Sequence, residues 1–320
     1  MKLVLATEAN KRFFHLLDDL GSLDVEVVPA LDEDSLRREI VDADAVYGWP
    51  SPEALARAEK LSWVHTSSAG VEQLWSHPQL RQSDIVVTNS RGAHAANIAE
   101  HALAMLLAFS RGIIAAREYQ AAGQWAGTEV RAVSWELSGS TMGIIGYGNI
   151  GRATGARAQA LGMKVLAVDR EPVAPDAAVA TVGPLAKLAD VLAAADVVVV
   201  TVPETPESRG MLGAEQFAMM KPSAGLIVVS RGATFDHDAL VAALRSEAQG
   251  PAFAGLDSTP IEPLPQDSPL WSLPNCLLTP HSSGHSLQKE QRVIALLKEN
   301  VQRFAQGQPL INIVDKAKGY

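Results

Sequence analysis

Cysteine is nearly missing from this chain: Cys276 stands alone, so no internal disulfide can form. A fold without such cross-links suits the reducing cytoplasm, where the protein is expected to reside. Basic clusters are missing as well. The 320 residues carry 27 Lys and Arg against 36 Asp and Glu, a net charge of −9, which removes duplex nucleic acid from the expected partners. No apolar run approaches the roughly 20 residues of a membrane-spanning helix. The opening Met1–Ala6 stretch, soon followed by Glu8, is too short for a secretory apolar region, so no membrane association is expected. Metal-ligand spacing is lacking too. His281 and His285 lie four apart, but Gly284 separates them and no Glu follows His281, which excludes a zincin helix. One cysteine leaves no structural zinc site either, so no metal is expected.

What remains is an ordinary globular composition, 47% apolar and 20% charged, on a chain long enough that two domains are the default. Short β-type runs at 3–6, 24–28, 44–48, 62–66 and 84–88 alternate with helix-compatible stretches at Lys11–Leu20, Glu33–Ala43 and Pro52–Lys60. That alternation predicts a parallel sheet covered by helices. From Ala95 to Tyr119 the period becomes helical, with Ile98, Ala102, Met105, Leu106, Phe109 and Ile113 on one stripe, and predicts one long bridging helix. Downstream, β-type runs at Val197–Val202, Gly225–Val229, Phe253–Leu256 and Cys276–Leu278 alternate with helices at Leu185–Ala194 and His237–Glu247. An amphipathic helix over Ser286–Gln306 follows, and then a β-type run, Leu310–Val314, that is expected to return to the first unit.

The most informative stretch is Gly146-x-Gly148-x-x-Gly151. An apolar run leads into it, a helix-forming segment leaves it, and a second run, Lys164–Val168, ends on Asp169. Strand, glycine turn, helix, strand and terminal acid together form a dinucleotide-binding fingerprint. Gly146 allows the tight turn, Gly148 lets backbone N–H groups approach a pyrophosphate, and Gly151 lets helix and strand pack closely. The helix N-terminus adds partial positive charge, and Asp169 accepts hydrogen bonds from ribose hydroxyls.

Polar residues also stand where later apolar runs end. Arg231 follows Leu226–Val229, Asp257 follows Ala254–Leu256, His281 follows Leu277–Pro280, and Glu262 lies in the loop between the last two. Taken singly, each is equally a solvated strand tip, a loop charge or a structural histidine. In order, the motifs Ser230-Arg231-Gly232, Asp257-x-x-x-x-Glu262-Pro263, Trp271-x-Leu-Pro-Asn275 and Thr279-Pro-His281-x-x-Gly284 say more. With Ala99-Glu-His101 and Pro203-x-Thr-Pro-Glu-Ser-Arg209-Gly210, they resemble the D-isomer-specific 2-hydroxyacid dehydrogenases, a likeness running from about residue 60 to the end.

The resemblance implies an α/β fold of two doubly wound parallel-sheet domains, a Rossmann cofactor domain at 100–284 and a flavodoxin-like substrate-binding domain at 1–99 completed by 285–320. It implies reversible reduction of a 2-oxo acid to a D-2-hydroxy acid. Arg231 would bind the substrate carboxylate and carbonyl, His281 would act as acid and base, and Glu262 would hold His281. The substrate loop would be Ser68, Ala69, Gly70 and Val71. Around the cofactor the likeness adds Tyr147, Asn149, Ile150, Arg170, Val202, Pro203, Ser230, Asp257 and Gly284 to the glycines and Asp169. NAD is the preferred cofactor because Asp169 repels a 2′-phosphate, with NADP the alternative because Arg170 can accept one. A homodimer is implied as well. Three departures stand out: Ser258 where Val is usual, Ser230 where Ala is common, and Glu204 after Pro203. His101 is expected to serve packing alone. Competing readings are a phosphoglycerate- or phosphonate-type dehydrogenase on the same scaffold and an NAD-binding, redox-sensing interaction protein.

Overall fold

The computed structural model describes residues 1–179, 181–246 and 248–319. The chain forms two compact units, Met1–His94 with His285–Tyr320, and Ala95–Gly284. The division after His94 takes the helix Ala95–Ser110 whole into the second unit, whereas a boundary at residue 100 cuts through it.

In the first unit, strands β1 (Lys2–Leu5), β2 (Glu26–Pro29), β3 (Ala45–Tyr47), β4 (Trp63–Thr66) and β5 (Val86–Asn89) form a parallel sheet in the order β2-β1-β3-β4-β5. This is the flavodoxin-like order, and its interior strands β3 and β4 are wholly buried, which explains their near-continuous apolar runs. The helices differ in detail from expectation. Lys11–Leu23 is a 3₁₀ segment flanked by left-handed Asn10 and Asp24, with no side-chain cap at its start. Glu33–Glu39 begins on a reciprocal Asp32–Ser35 cap, and Pro52–Leu55 is a single turn. The C-terminal helix, Leu287–Ala305, is capped by Ser286 and buries Val293, Ile294, Leu297 and Val301 in one core with Phe13, Leu17 and Leu20. The expected strand at Leu310–Val314 is only a single antiparallel bridge, Thr88 to Ile313. Asn312, at φ 57°, turns the chain out of extended geometry there.

The second unit is a seven-stranded parallel sheet: β6 (Thr141–Ile145), β7 (Lys164–Asp169), β8 (Val182–Pro184), β9 (Val197–Val200), β10 (Gly225–Val228), β11 (Phe253–Leu256) and β12 (Cys276–Leu278). Its order, β12-β11-β10-β9-β6-β7-β8, reverses between β6 and β9, the doubly wound pattern whose switch point binds ligands. Apolar cores cover both faces. The expected long helix is two, Ala95–Ser110 and Ile113–Ala121, bent by 67°. Gly112 at φ 63° breaks it, and a Cβ there would lie 3.0 Å from Ser134 Oγ. Ile113 consequently leaves the buried stripe and is exposed. Among the described residues no single helix is long and apolar enough to cross a membrane. Edge strand β8 and the helices Gly127–Ala132 and Ala214–Met219 have no clear sequence period. Helix His237–Arg245 ends before Glu247, which lies outside the described residues.

A buried polar chain beneath residues 67–71 fixes the end of β4. Trp63 Nε1 donates to Thr88 Oγ1 at 2.7 Å, and Thr88 Oγ1 is 2.7 Å from His65 Nδ1. Ser90 donates its hydroxyl to Thr66 O at 2.9 Å, so the 3.3 Å contact from His65 Nε2 to Ser90 Oγ requires Nε2 to donate. Nδ1 of the neutral ring therefore accepts from Thr88. Burial pushes the His65 pKa down to about 3, so the ring stays neutral in the folded protein.

This has a measurable consequence. The unfolded chain binds a proton at His65 near its ordinary value of 6.5 while the folded chain does not. The protein's stability is unaffected by this group above pH 6.5 and falls by about 1.4 kcal/mol per pH unit below it. Urea unfolding at pH 7 and pH 5 is expected to show about 2 kcal/mol more acid loss in the native protein than in His65→Gln. Equal losses in the two proteins would remove His65 as the source.

Candidate active site

The glycine turn is explained partly by the protein and partly by what it leaves open. After β6, Gly146 has φ 91°, and a Cβ on it would sit 2.7 Å from Val202 Cγ1 and 2.9 Å from Val202 N. A Cβ on Gly151 would lie 2.3 Å from Gly146 O. Both positions are closed to side chains by the fold itself. Gly148 is different. Its φ of −79° suits any residue, and no described atom lies within 4 Å of a Cβ placed there. A side chain would fill the space above the N-terminus of the helix Asn149–Ala160. That open cradle fits a pyrophosphate approaching the exposed backbone of Gly148 and Asn149, with Ile150 half-buried behind them.

Asp169 closes the other side of the turn. Its Oδ2 accepts Tyr147 N–H at 2.7 Å and its Oδ1 accepts Glu171 N–H at 3.1 Å, so the carboxylate is fixed in place. Arg170 is engaged by acids, Glu207 at 3.3 Å and Glu171 at 3.9 Å. The Tyr147 ring is buried, and its hydroxyl donates to Asp176 Oδ1 at 3.0 Å. Arg152 donates to the second Asp176 oxygen at 2.9 Å and lies over the Tyr147 ring. Burial, then Asp176, push the Tyr147 phenol above its ordinary pKa. Glu204, a departure from the family pattern, forms an ion pair with Arg209.

The loop Ser67–Val71 in the first unit is held by backbone and side chain alike. Ser90 N–H donates to Ser68 O at 2.9 Å, Asn89 Nδ2 donates to Ala69 O at 2.6 Å, and the Ser68 hydroxyl donates to Gly70 O. Val71 is buried as the anchor.

In the second unit, Arg231, Asp257, Glu262 and His281 gather at the carboxyl ends of β10, β11 and β12. Arg231 follows β10, which pairs in register with β11, and its Nη1 donates to Ser230 O at 2.9 Å. A Cβ on Gly232 would meet the Thr259 carbonyl carbon at 2.0 Å, so this turn must carry glycine where the two loops touch. Glu262 accepts Thr259 N–H on Oε1 at 2.9 Å, and its Oε2 lies 2.7 Å from His281 Nδ1. That contact orients the imidazole with Nδ1 toward the carboxylate, leaving Nε2 on the opposite side of the ring. Both side chains are partly exposed.

Asp257, counted with the cofactor residues by the resemblance, is buried and ringed by donors. It is 1% exposed and accepts Thr279 Oγ1–H at 2.6 Å, Ser282 N–H at 2.9 Å and Ser283 N–H at 3.0 Å. Its backbone carbonyl takes His281 N–H at 2.8 Å. Burial opposes the charge, but hydrogen bonds from Ser283, Thr279 and Ser282 outweigh it and hold the carboxyl below its usual range. Val202 walls the glycine turn beside Pro203, and Gly284 ends the unit. The hydroxyls of Ser230 and Ser258 are buried with no partner among the described residues. His101 is not mere packing: its Nε2 lies 2.9 Å from Thr279 Oγ1. Ala99-Glu-His101 and Thr279-Pro-His281 were visible as motifs, but nothing in either announces that they meet.

Comparison with known proteins identifies the family of this fold. Residues 103–283 match the family model described as D-isomer specific 2-hydroxyacid dehydrogenase, NAD binding domain. The chain is 34% identical to a glyoxylate reductase of Korarchaeum cryptofilum over 82% of this chain and 79% of that protein. It is 31% identical to a D-3-phosphoglycerate dehydrogenase of Archaeoglobus fulgidus over 98% of its own length, and it spans 59% of that relative. A D-isomer specific 2-hydroxyacid dehydrogenase from Xanthobacter autotrophicus, crystallised with NADPH and MES, superposes with a TM-score of 0.84 at 30% identity, covering 100% of this chain and 99% of the other. The sheet orders, the glycine turn and these matches converge: the chain belongs to the D-isomer specific 2-hydroxyacid dehydrogenases.

Proposed function

We propose that this protein reduces a 2-oxo acid reversibly to a D-2-hydroxy acid, with Arg231, Glu262 and His281 as the working residues. The observation that carries the reading is the 2.7 Å contact between Glu262 Oε2 and His281 Nδ1 at the carboxyl end of the sheet whose switch point carries the glycine turn. A nicotinamide cofactor held at the Gly146–Gly151 turn and Asp169 would supply the hydride chemistry. The planar guanidinium of Arg231 suits a carboxylate with an adjacent carbonyl, which it can meet with parallel hydrogen bonds. His281 Nε2 gives its proton to the carbonyl oxygen as negative charge grows there, and takes it back in oxidation. Glu262 keeps the ring turned for that exchange. In the first unit the Ser68–Val71 loop, its carbonyls held by Asn89 and Ser90, is the proposed substrate-binding segment, on the strength of the resemblance. A phosphorylated 2-hydroxy acid is the second reading, favoured by the likeness to the phosphoglycerate enzyme over nearly the whole chain.

The test is a panel of 2-oxo acids (glyoxylate, hydroxypyruvate, pyruvate, phenylpyruvate and 2-oxoisocaproate) with 3-phosphoglycerate assayed in the oxidative direction. On the best substrate, His281→Ala is expected to lower kcat by about 10²–10⁴-fold. Arg231→Lys keeps the charge but loses the fork, and should raise KM while lowering kcat. Near-native turnover in Arg231→Ala would defeat the assignment.

The cofactor site favours NAD(H). Asp169 is a fixed negative charge at the end of β7, and Arg170 is already engaged by Glu207 and Glu171. NADH should exceed NADPH in kcat/KM by about tenfold or more, roughly 1.4 kcal/mol. Asp169→Ser should erode that ratio. Gly148→Val should weaken cofactor binding without lowering Tm, whereas Gly151→Val should disrupt folding. Unchanged cofactor affinity in folded Gly148→Val would place the phosphates elsewhere.

We further infer a homodimer built on the segment between the Ala95–Ser110 helix and β6. There Trp125 is fully exposed and Ile113 and Val133 are more than half exposed, although all three are large and apolar. Large apolar side chains exposed along one short segment are the feature that supports this reading. Sedimentation analysis should find a dimer in the native protein and a monomer in Trp125→Glu. Two identical sedimentation profiles would remove this segment from the interface.

A further inference from the structure

We propose that Asn97 and His101 are positioning residues that clamp the loop bearing His281, an inference that rests on reading His281 as the acid–base group. The loop needs a clamp. His281 sits at φ 50°, in the left-handed region that non-glycine residues avoid, so its backbone persists only where neighbours hold it. Asp257 holds the middle by accepting the N–H groups of residues 281, 282 and 283. The Ala95–Ser110 helix holds both ends. Asn97 Nδ2 donates to Ser283 O at 2.6 Å, and His101 Nε2 lies 2.9 Å from Thr279 Oγ1.

The spacing makes this a clamp. Asn97 and His101 are one helical turn apart on a common face, and the loop residues they reach, Thr279 and Ser283, flank His281 by two on either side. The same helix otherwise buries Ile98, Ala102, Leu103, Met105 and Leu106, so two polar residues on it answer to something other than packing. Protons also settle the direction. Thr279 has one hydroxyl hydrogen and spends it on Asp257 Oδ1 at 2.6 Å. His101 Nε2 therefore carries a hydrogen and donates it to Thr279 Oγ1. His101 thus keeps the Thr279 hydroxyl aimed at Asp257, whose carboxylate in turn holds the amides next to His281. Misplacement of a reacting group by about 1 Å costs on the order of 100-fold in rate, so a loosened loop should be felt in chemistry before binding.

The experiment uses the full-length enzyme and its best 2-oxo acid. His101→Phe and Thr279→Val remove the donor and the hydroxyl while keeping approximate shape. His101→Gln and Thr279→Ser keep those groups. Steady-state kcat, both KM values, the isotope effect with deuterated cofactor, and Tm are measured for each. The clamp predicts that Phe and Val lower kcat about 10–100-fold, raise the isotope effect toward its intrinsic limit, and leave the cofactor KM within about twofold. Gln and Ser should recover most of the rate. The double variant His101→Phe/Thr279→Val should be no worse than its more severe single, because the two act in series. If His101→Phe does not fold, Thr279→Val with its Thr279→Ser rescue decides by the same criteria. A folded Phe or Val variant with native kcat, or a failure of both conservative variants to restore it, overturns the proposal. His281→Ala is assayed alongside: if it turns over normally, the acid–base reading itself is wrong. If it is inactive while His101→Phe and Thr279→Val are native, only the clamp falls.

Discussion

A single buried carboxylate organises the loop that carries His281 in the second unit. Asp257 has almost no solvent, and a bare charge there would be costly. It is stable because one hydroxyl and two backbone N–H groups point at it, all three from residues 279–283. The need runs both ways: the carboxylate needs those donors, and the loop needs the carboxylate to hold a left-handed histidine. Remove Asp257 and the backbone N–H groups of residues 281–283 lose the acceptors that hold the middle of the His281 loop. Charge-assisted hydrogen bonds of this kind contribute roughly 1.5–3 kcal/mol each, enough together to offset an unfavourable backbone conformation.

The glycine turn works on the opposite principle, by subtraction. Gly146 and Gly151 are small because Val202 and the turn's own carbonyl occupy the space a side chain would need. Gly148 is small although nothing among the described residues presses on it. The three glycines of one motif therefore divide into two that the fold itself requires and one whose space the described residues leave open. The parallel order of the sheet places this turn beside the β6–β9 reversal, and the fixed carboxylate of Asp169 sits across it.

Both units use the same device, a β-strand end followed by a loop whose polar groups are tied down from below. In the first, the Trp63–Thr88–His65–Ser90 chain orders each proton beneath the Ser67–Val71 loop. In the second, Asp257, Thr279 and His101 do so beneath His281. The buried, neutral His65 suits this task because Nδ1 accepts from Thr88 while Nε2 donates to Ser90, joining two neighbours in a defined direction.

Much of this was legible in the amino-acid order. The strand-and-helix alternation, the fingerprint from Gly146 to Asp169, and the succession Arg231, Glu262, His281 depend on local spacing and on apolar runs that any parallel sheet requires. The break at Gly112 was less legible, because a single glycine is compatible with a continuous helix until Ser134 packs against it. Edge strand β8 is too short to show a period. Leu310–Val314 has β-type residues, but Asn312 turns the chain and leaves one bridge. The sequence by itself determined which side chains end each strand, since that follows from where the apolar runs stop. Only the tertiary structure decided that Asp257 faces inward and that His101 and Asn97 reach the His281 loop. The Asn97 and His101 contacts join residues more than 150 positions apart, and a hydrogen bond's direction depends on the three-dimensional neighbours that compete for each proton.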